Sequence, residues 1–334
     1  MPISRRSGPA AAALIMAAAL ATGSALGAEP LALENLLSGI LHVKTVINPD
    51  GRTVENLGHE RDGTGVVIDD KGLILTIGYL MVEAQGAEVT TNDGHTVPAA
   101  VVGYDAETGF GLLRAITPLK AHAVAFGKSA EVKVEDRELA VSYGGEDAID
   151  PVSVVARRAY AGSWEYLLED AIFTAPPHPR WSGAALINRA GNLVGVGSLM
   201  VRDAVGKDDD VRGNMFVPID RLPPILDSLI ATGRSAGPGR PWLGLITEEF
   251  HGRLVIASVT PDGPAQKAGL QHGDVILGVD GKTPETLAEF YRDVWAAGDA
   301  GVSVPLDVMQ GGAKRRIAVR SMNRLDHLRL KSSY

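Results

Sequence analysis

Ser182 is the side chain whose type and setting best suit covalent chemistry. It lies in HPRWSGAALINRAGNLVGVGSL, residues 178–199. Pro179 restrains the backbone ahead of it and Gly183 follows, so a tight loop delivers the serine to the start of an apolar run. A turn at Asn188-Arg189-Ala190-Gly191-Asn192 and a second apolar strand over 193–199 complete a hairpin. A serine in such a loop can attack an acyl carbon while neighbouring amides face the developing oxyanion. It can equally be an ordinary turn serine. Attack requires a base for the hydroxyl proton and a partner that fixes the base's tautomer. The histidines available in this half of the chain are His42, His59, His95, His122 and His178. His95 sits in an Asn92-Asp93-Gly94 turn, His42 in a strand-like run, and His59 and His122 in connecting segments. His178, next to Pro179, is expected to stabilise the loop rather than to act as base.

The elements that must position Ser182 belong to a chain long enough, at 334 residues, for two or three domains with proper cores. Its 45% apolar and 22% charged content is that of a globular protein. A formal charge of −8 gives no reason to expect nucleic acid as partner and discourages binding to anionic membranes. Arg5 and Arg6, an alanine-rich apolar run over 10–20 and Ala25-Leu26-Gly27 have the order of a secretory leader. The run is shorter than the ~20 residues a membrane span needs, and the Ser-Gly-Pro after the arginine pair is poor for twin-arginine export. With no cysteine, the expectation is an exported, periplasmic or secreted protein that does not rely on disulfides. The organisation expected is a signal peptide over 1–27, a β-rich domain over 28–234, a Gly/Pro linker over 235–240, a second domain over 241–322 and a tail over 323–334. Many short strands with turns every 8–12 residues indicate a mostly β architecture. Asp208-Asp209-Asp210 is expected to be a solvated loop rather than a metal site.

Four stretches resemble the trypsin-like HtrA/DegP proteases. The loop H-P-R-W-S-G-A-A-L is similar to the family's N-P-G-N-S-G-G-P-L, and GTGVVIDDKGLILTIGYLMVEA to G-S-G-V-I-I-D…G-Y-I-L-T-N-x-H-V-V. GYDAETGFGLLRA resembles x-G-x-D-x-x-T-D-L-A-V-L-K, keeping Asp105 and Thr108. GPAQKAGLQHGDVILGVDGK, residues 263–282, follows the family's PDZ signature nearly residue for residue. The resemblance spans about residues 40–322. It implies a double six-stranded trypsin-like β-barrel followed by a small α+β PDZ domain.

On that resemblance the nucleophile position is kept as Ser182, but Tyr79 falls at the catalytic His, Gly109 at the catalytic Asp and Arg180 at the oxyanion-hole glycine. Tyrosine, with a pKa near 10, is a poor base near neutrality, and glycine orients nothing. The expectation is a pseudoprotease that needs no cofactor or metal. The alternative is an active serine endopeptidase with a non-standard base. The PDZ half keeps its means: Trp242, Leu243, Gly244 and Leu245 match the carboxylate-binding loop. Leu287, Phe290, Tyr291 and Val294 lie at i, i+3, i+4 and i+7 on one face of the expected groove helix. The implied partners are peptides or protein C-termini, unfolded exported chains or an active protease, and the implied assembly is the trimer common in the family.

Overall fold

The computed structural model describes residues 33–206 and 210–330. The expected leader, with Asp208 and Asp209, lies outside the described residues. α1 (Leu33–Ser38) leads into β1 (Ile40–Ile47). The turn at 48–51 forms, closed by Gly51 N donating to Asn48 O at 2.7 Å. The short helix α2 (Val54–Leu57) intervenes before β2 (Glu60–Val67) returns antiparallel to β1. β3 (Leu73–Ile77), β4 (Ala84–Thr90), β5 (Thr96–Tyr104) and β6 (Phe110–Ala115) complete a closed barrel of order β1-β2-β3-β6-β5-β4.

A second closed barrel uses β7 (Arg137–Val141), β8 (Ile149–Gly162), β9 (Tyr166–Ala175), β10 (Ala185–Ile187), β11 (Leu193–Val201) and β12 (Gly213–Pro218), in the order β10-β11-β12-β9-β8-β7. Closure leaves neither barrel an open edge. One apolar cluster runs through both, from Leu36 and Ile40 to Val217 and Leu229, so the barrels share a core. α3 (Pro223–Thr232) opens with proline in its first turn and stops at Gly233, the arrangement that helix termini favour.

Beyond the linker come β13 (Leu245–Phe250), β14 (Arg253–Val259), the short α4 (Pro264–Lys267), β15 (Val275–Val279), α5 (Leu287–Ala296), β16 (Ser303–Gln310) and β17 (Ala313–Arg320). The strands form one antiparallel sheet in sequence order. Thr286 caps α5, its hydroxyl accepting from Glu289 N. Leu287, Phe290, Tyr291 and Val294 are all buried, so the apolar face inferred from spacing is the face turned into the domain. Leu167 of β9 belongs to this domain's core cluster. The two halves are therefore packed against each other and also paired by charge. Arg292 grips Glu169 through two bonds of 2.9 and 2.7 Å, and Arg240 meets Glu107 at 3.0 Å.

The segment expected as a tail carries a helix, α6 (Arg324–His327), and returns to the first barrel. There Arg329 N donates to Glu83 Oε1 at 2.7 Å, and Glu83 also accepts from Arg52 N, Thr53 N and Thr53 Oγ1. Burial alone would raise the Glu83 carboxyl, but these hydrogen bonds outweigh it and hold it below its ordinary 4.5. A carboxyl lowered in the folded state contributes stability that is complete above pH 4.5 and is lost as pH falls through the lowered value. Glu83→Gln should therefore cost about 1–2 kcal/mol at pH 7, and its deficit should shrink on acidification. Urea unfolding at pH 7 and below pH 4 checks this. A deficit that stays constant with pH would contradict it.

Candidate functional site

Ser182 sits where the barrels meet. Gly183 takes φ +75, and a Cβ there would lie 2.0 Å from Thr64 O and 2.8 Å from Thr76 Oγ1. Only glycine permits this approach. Thr64 N donates to Ser182 O at 2.8 Å, and Gly183 N to Gly197 O at 2.9 Å. The serine is thus fastened to β2 on one side and to β11 on the other.

Tyr79 occupies a 3-10 turn, Gly78–Leu80, that directly follows β3. Arg61 holds this turn, donating from Nη1 to Tyr79 O at 2.6 Å, and Gly78 N donates to Gly109 O at 2.6 Å. The phenol is thereby aimed at the serine: Tyr79 Oη lies 2.9 Å from Ser182 Oγ and 2.8 Å from Ser198 O, within donating distance of either. One phenolic proton can fully serve only one acceptor. Ser198 O can only accept, so when it takes that proton the Ser182 hydroxyl is left to donate to Oη. In neither orientation can the neutral phenol remove a second proton. Burial pushes Tyr79 up to about 12, with hydrogen bonds to Ser182 and Trp181 pulling weakly the other way. Near neutrality the phenol stays protonated.

Gly109 adopts φ +83, its amide donating to Asp105 O at 2.9 Å. A Cβ would stand 3.5 Å from Ile77 Cδ1 and 3.8 Å from the Tyr166 ring. Space exists for a side chain, but the left-handed backbone costs any L-residue about 1 kcal/mol. The retained Asp105 does not substitute. Its carboxylate caps Thr108 N at 2.7 Å and Thr108 Oγ1 at 2.6 Å, and also receives the Ser235 hydroxyl. Asp105 and Thr108 shape the turn.

Arg180 stays out of the left-handed region that Gly183 adopts. Its guanidinium donates to Tyr143 O at 3.0 Å and stands 5.6 Å from the Tyr143 ring centroid. Tyr143 stacks on His42 at 4.0 Å, and both hydrogen-bond to Asp62, at 3.0 and 3.3 Å respectively. His178 is 1% exposed, its Nδ1 2.6 Å from Asp150 Oδ2 and its amide donating to Asn214 Oδ1 at 2.6 Å, so it braces the loop. His122 hydrogen-bonds Ser38. Among the described residues no histidine pairs with Ser182.

At the far end of β8 and β9 the structure assembles a contact that sequence reasoning missed. Gly162 pairs with Tyr166, leaving the three-residue loop Ser163-Trp164-Glu165 with Glu165 at φ +57, a common build for such hairpins. The Glu165 carboxylate accepts from Leu243 N at 2.8 Å through Oε2 and from Leu245 N at 2.7 Å through Oε1. Those are amides of the expected carboxylate-binding loop, residues 242–245. Thr247 N donates to Ser163 O at 2.9 Å, Tyr291 Oη donates to Gly162 O at 2.7 Å, and Glu165 N donates to Tyr291 Oη at 3.1 Å. Burial pushes the Glu165 carboxyl up to about 7 against the pull of these amides. Of the expected groove residues, Leu243, Leu245 and Tyr291 hydrogen-bond this hairpin, while Leu287 and Phe290 contribute to the domain core. The sequence does show a turn at GSWE between two β-rich runs. Nothing local signals an acceptor for amides some eighty residues away.

Two trypsin-like barrels joined to a PDZ domain define the class of protein. A family model described as a trypsin-like peptidase domain matches residues 63–196, and one described as a PDZ domain matches 241–320. A curated relative in Ectopseudomonas mendocina, named a DegP-like periplasmic serine endoprotease, is 27% identical over 81% of this chain and 58% of its own length. HhoA of Synechocystis, named a serine protease, is 29% identical over 78% of this chain and 70% of its own. The chain spans about half the length of several DegP-like relatives it matches, such as one from Brucella suis at 48%. A solved HtrA-type protease, AlgW with a decapeptide, shares the fold with a TM-score of 0.54 at 22% identity, covering 90% of this chain and all of that one. The chain is thus similar in sequence to HtrA/DegP-like proteases and shares their fold of a trypsin-like barrel domain followed by a PDZ domain.

Because Gly109 is left-handed and Arg180 has not adopted the loop geometry of an oxyanion glycine, Tyr79→His with Gly109→Asp should restore almost no casein hydrolysis. It should also lower the melting temperature, since the aspartate carries backbone strain and the Ser198 carbonyl loses its phenol. Robust turnover from this pair alone would show the oxyanion loop to be functional as it stands.

Proposed function

We propose that this chain is an exported, periplasmic pseudoprotease: an HtrA-like scaffold that binds peptides or protein C-termini through its PDZ domain. On this reading it serves as a binding, chaperone or regulatory protein and does not cleave what it holds. The observation that carries the reading is the neutral, half-buried Tyr79 phenol against Ser182 Oγ. A serine nucleophile depends on transfer of its proton to a base, and a phenol that keeps its own proton to about pH 12 cannot receive it. With the orienting carboxylate also replaced by Gly109, both partners of a triad are missing. Loss of the base alone costs about a million-fold in turnover in a comparable triad.

Support for retained binding comes from the 242–245 loop. Its amides converge on a carboxylate, the task such loops perform when a peptide terminus adds beside the neighbouring strand. The purified chain should leave fluorogenic casein intact at pH 7–9 over many hours. Hydrolysis that disappears in Ser182→Ala would overturn the non-catalytic reading, whatever base proved responsible.

A further inference from the structure

Two amides of the PDZ-domain loop expected to hold a peptide carboxylate are already engaged by a side chain of the same chain. A C-terminal peptide bound to such a domain makes two kinds of backbone bond: its carboxylate to the loop amides, and its strand to the adjoining β-strand. Both are present here. Glu165 supplies the carboxylate, reaching Leu243 N and Leu245 N at 2.8 and 2.7 Å. Ser163, two residues earlier, supplies a carbonyl to Thr247 N, two residues past Leu245, at 2.9 Å. That single backbone bond stands two residues along from the carboxylate contact on both segments, where a bound peptide's first strand bond would fall. From the helix side, Tyr291 Oη donates to Gly162 O and accepts from Glu165 N. Leu167 enters the PDZ core, and Arg324 Nη1 donates to Trp164 O at 3.2 Å.

We propose that the hairpin tip, residues 162–166, is a built-in ligand of the PDZ groove, with the Glu165 side chain replacing a peptide's C-terminal carboxylate, so that an incoming C-terminal peptide must displace the hairpin to bind. The proposal rests on the peptide-binding reading only for its last clause; the closure itself stands on the hydrogen bonds. Its consequence is coupling. β8 and β9 are neighbouring strands of the barrel that contains the Ser182 loop, so groove occupancy and the state of this hairpin are alternatives. When a site is open for only a fraction of the time, a ligand's apparent affinity falls by that fraction.

Two measurements on the full chain test this, with Glu165→Gln and Glu165→Ala beside the wild type. Glutamine keeps the volume and removes the charge; alanine removes the ligand. In amide hydrogen exchange, the Leu243, Leu245 and Thr247 amides should be protected in the wild type and exchange at least tenfold faster in Glu165→Ala, with Glu165→Gln between. Fluorescence anisotropy with labelled decapeptides ending in free Ala, Val, Leu or Phe should show at least tenfold tighter binding to Glu165→Ala than to wild type, abolished by amidating the peptide terminus. Equal exchange in all three proteins would overturn the closure, as would equal peptide affinities. Faster exchange in Glu165→Ala with no peptide bound by any protein would uphold the internal ligand and instead sink the peptide-binding function.

Discussion

The site depends on one backbone contact between the barrels. Thr64 presents its amide to Ser182 O and its carbonyl to Thr76 Oγ1, at 2.8 and 2.7 Å. That same carbonyl leaves no room for any side chain at Gly183. The Ser182 turn is therefore locked to β2 whatever the serine does chemically. Tyr79 then extends across the junction, since β3 ends where Arg61 and Gly109 hold the next turn. A histidine in that turn would meet the serine with a lone pair. The tyrosine meets it with a phenol whose single proton the Ser198 carbonyl also competes for. On the proposed reading, the scaffold that would deliver the serine to a base is kept while the base itself is not. The serine hydroxyl becomes one member of a satisfied hydrogen-bond set.

Much of this was legible in the sequence because it is written in local patterns. Alternating apolar runs with Asp69-Asp70-Lys71-Gly72 and Asn92-Asp93-Gly94 between them form the hairpins they suggest, with Gly72 and Gly94 at positive φ. The 263–282 signature and the i, i+3, i+4, i+7 face of α5 likewise fold as expected. That Tyr79 would lie near Ser182 was suggested by motif spacing, and the phenol does stand 2.9 Å from the serine hydroxyl. The orientation of the phenol was not, because it is set by Arg61 and Ser198, neither of which belongs to a recognisable motif. The 323–334 segment looked like a tail, since its docking on Glu83 depends on a carboxylate almost 250 residues earlier. Glu165 was hidden for the same reason: a turn glutamate is unremarkable until tertiary structure brings it to unpaired amides.

The two halves follow one physical rule. A buried polar group must find a partner, and a partner supplied from within the chain is always present. At the barrel junction the Ser182 hydroxyl is answered by Tyr79. At the domain junction the loop amides of Leu243 and Leu245 are answered by Glu165. The difference lies in reversibility. The phenol packs against the shared core of the barrels, whereas the two Glu165 bonds are those that, on our proposal, a peptide carboxylate would replace.

Whether Ser182 is a nucleophile is decided by its reactivity toward diisopropyl fluorophosphate. Intact-mass spectrometry after prolonged exposure at pH 7–9 should show the unmodified chain, because nothing within reach takes the serine proton. A single adduct mapped to the peptide containing residues 178–199, and absent in Ser182→Ala, would contradict the account and establish an activated serine.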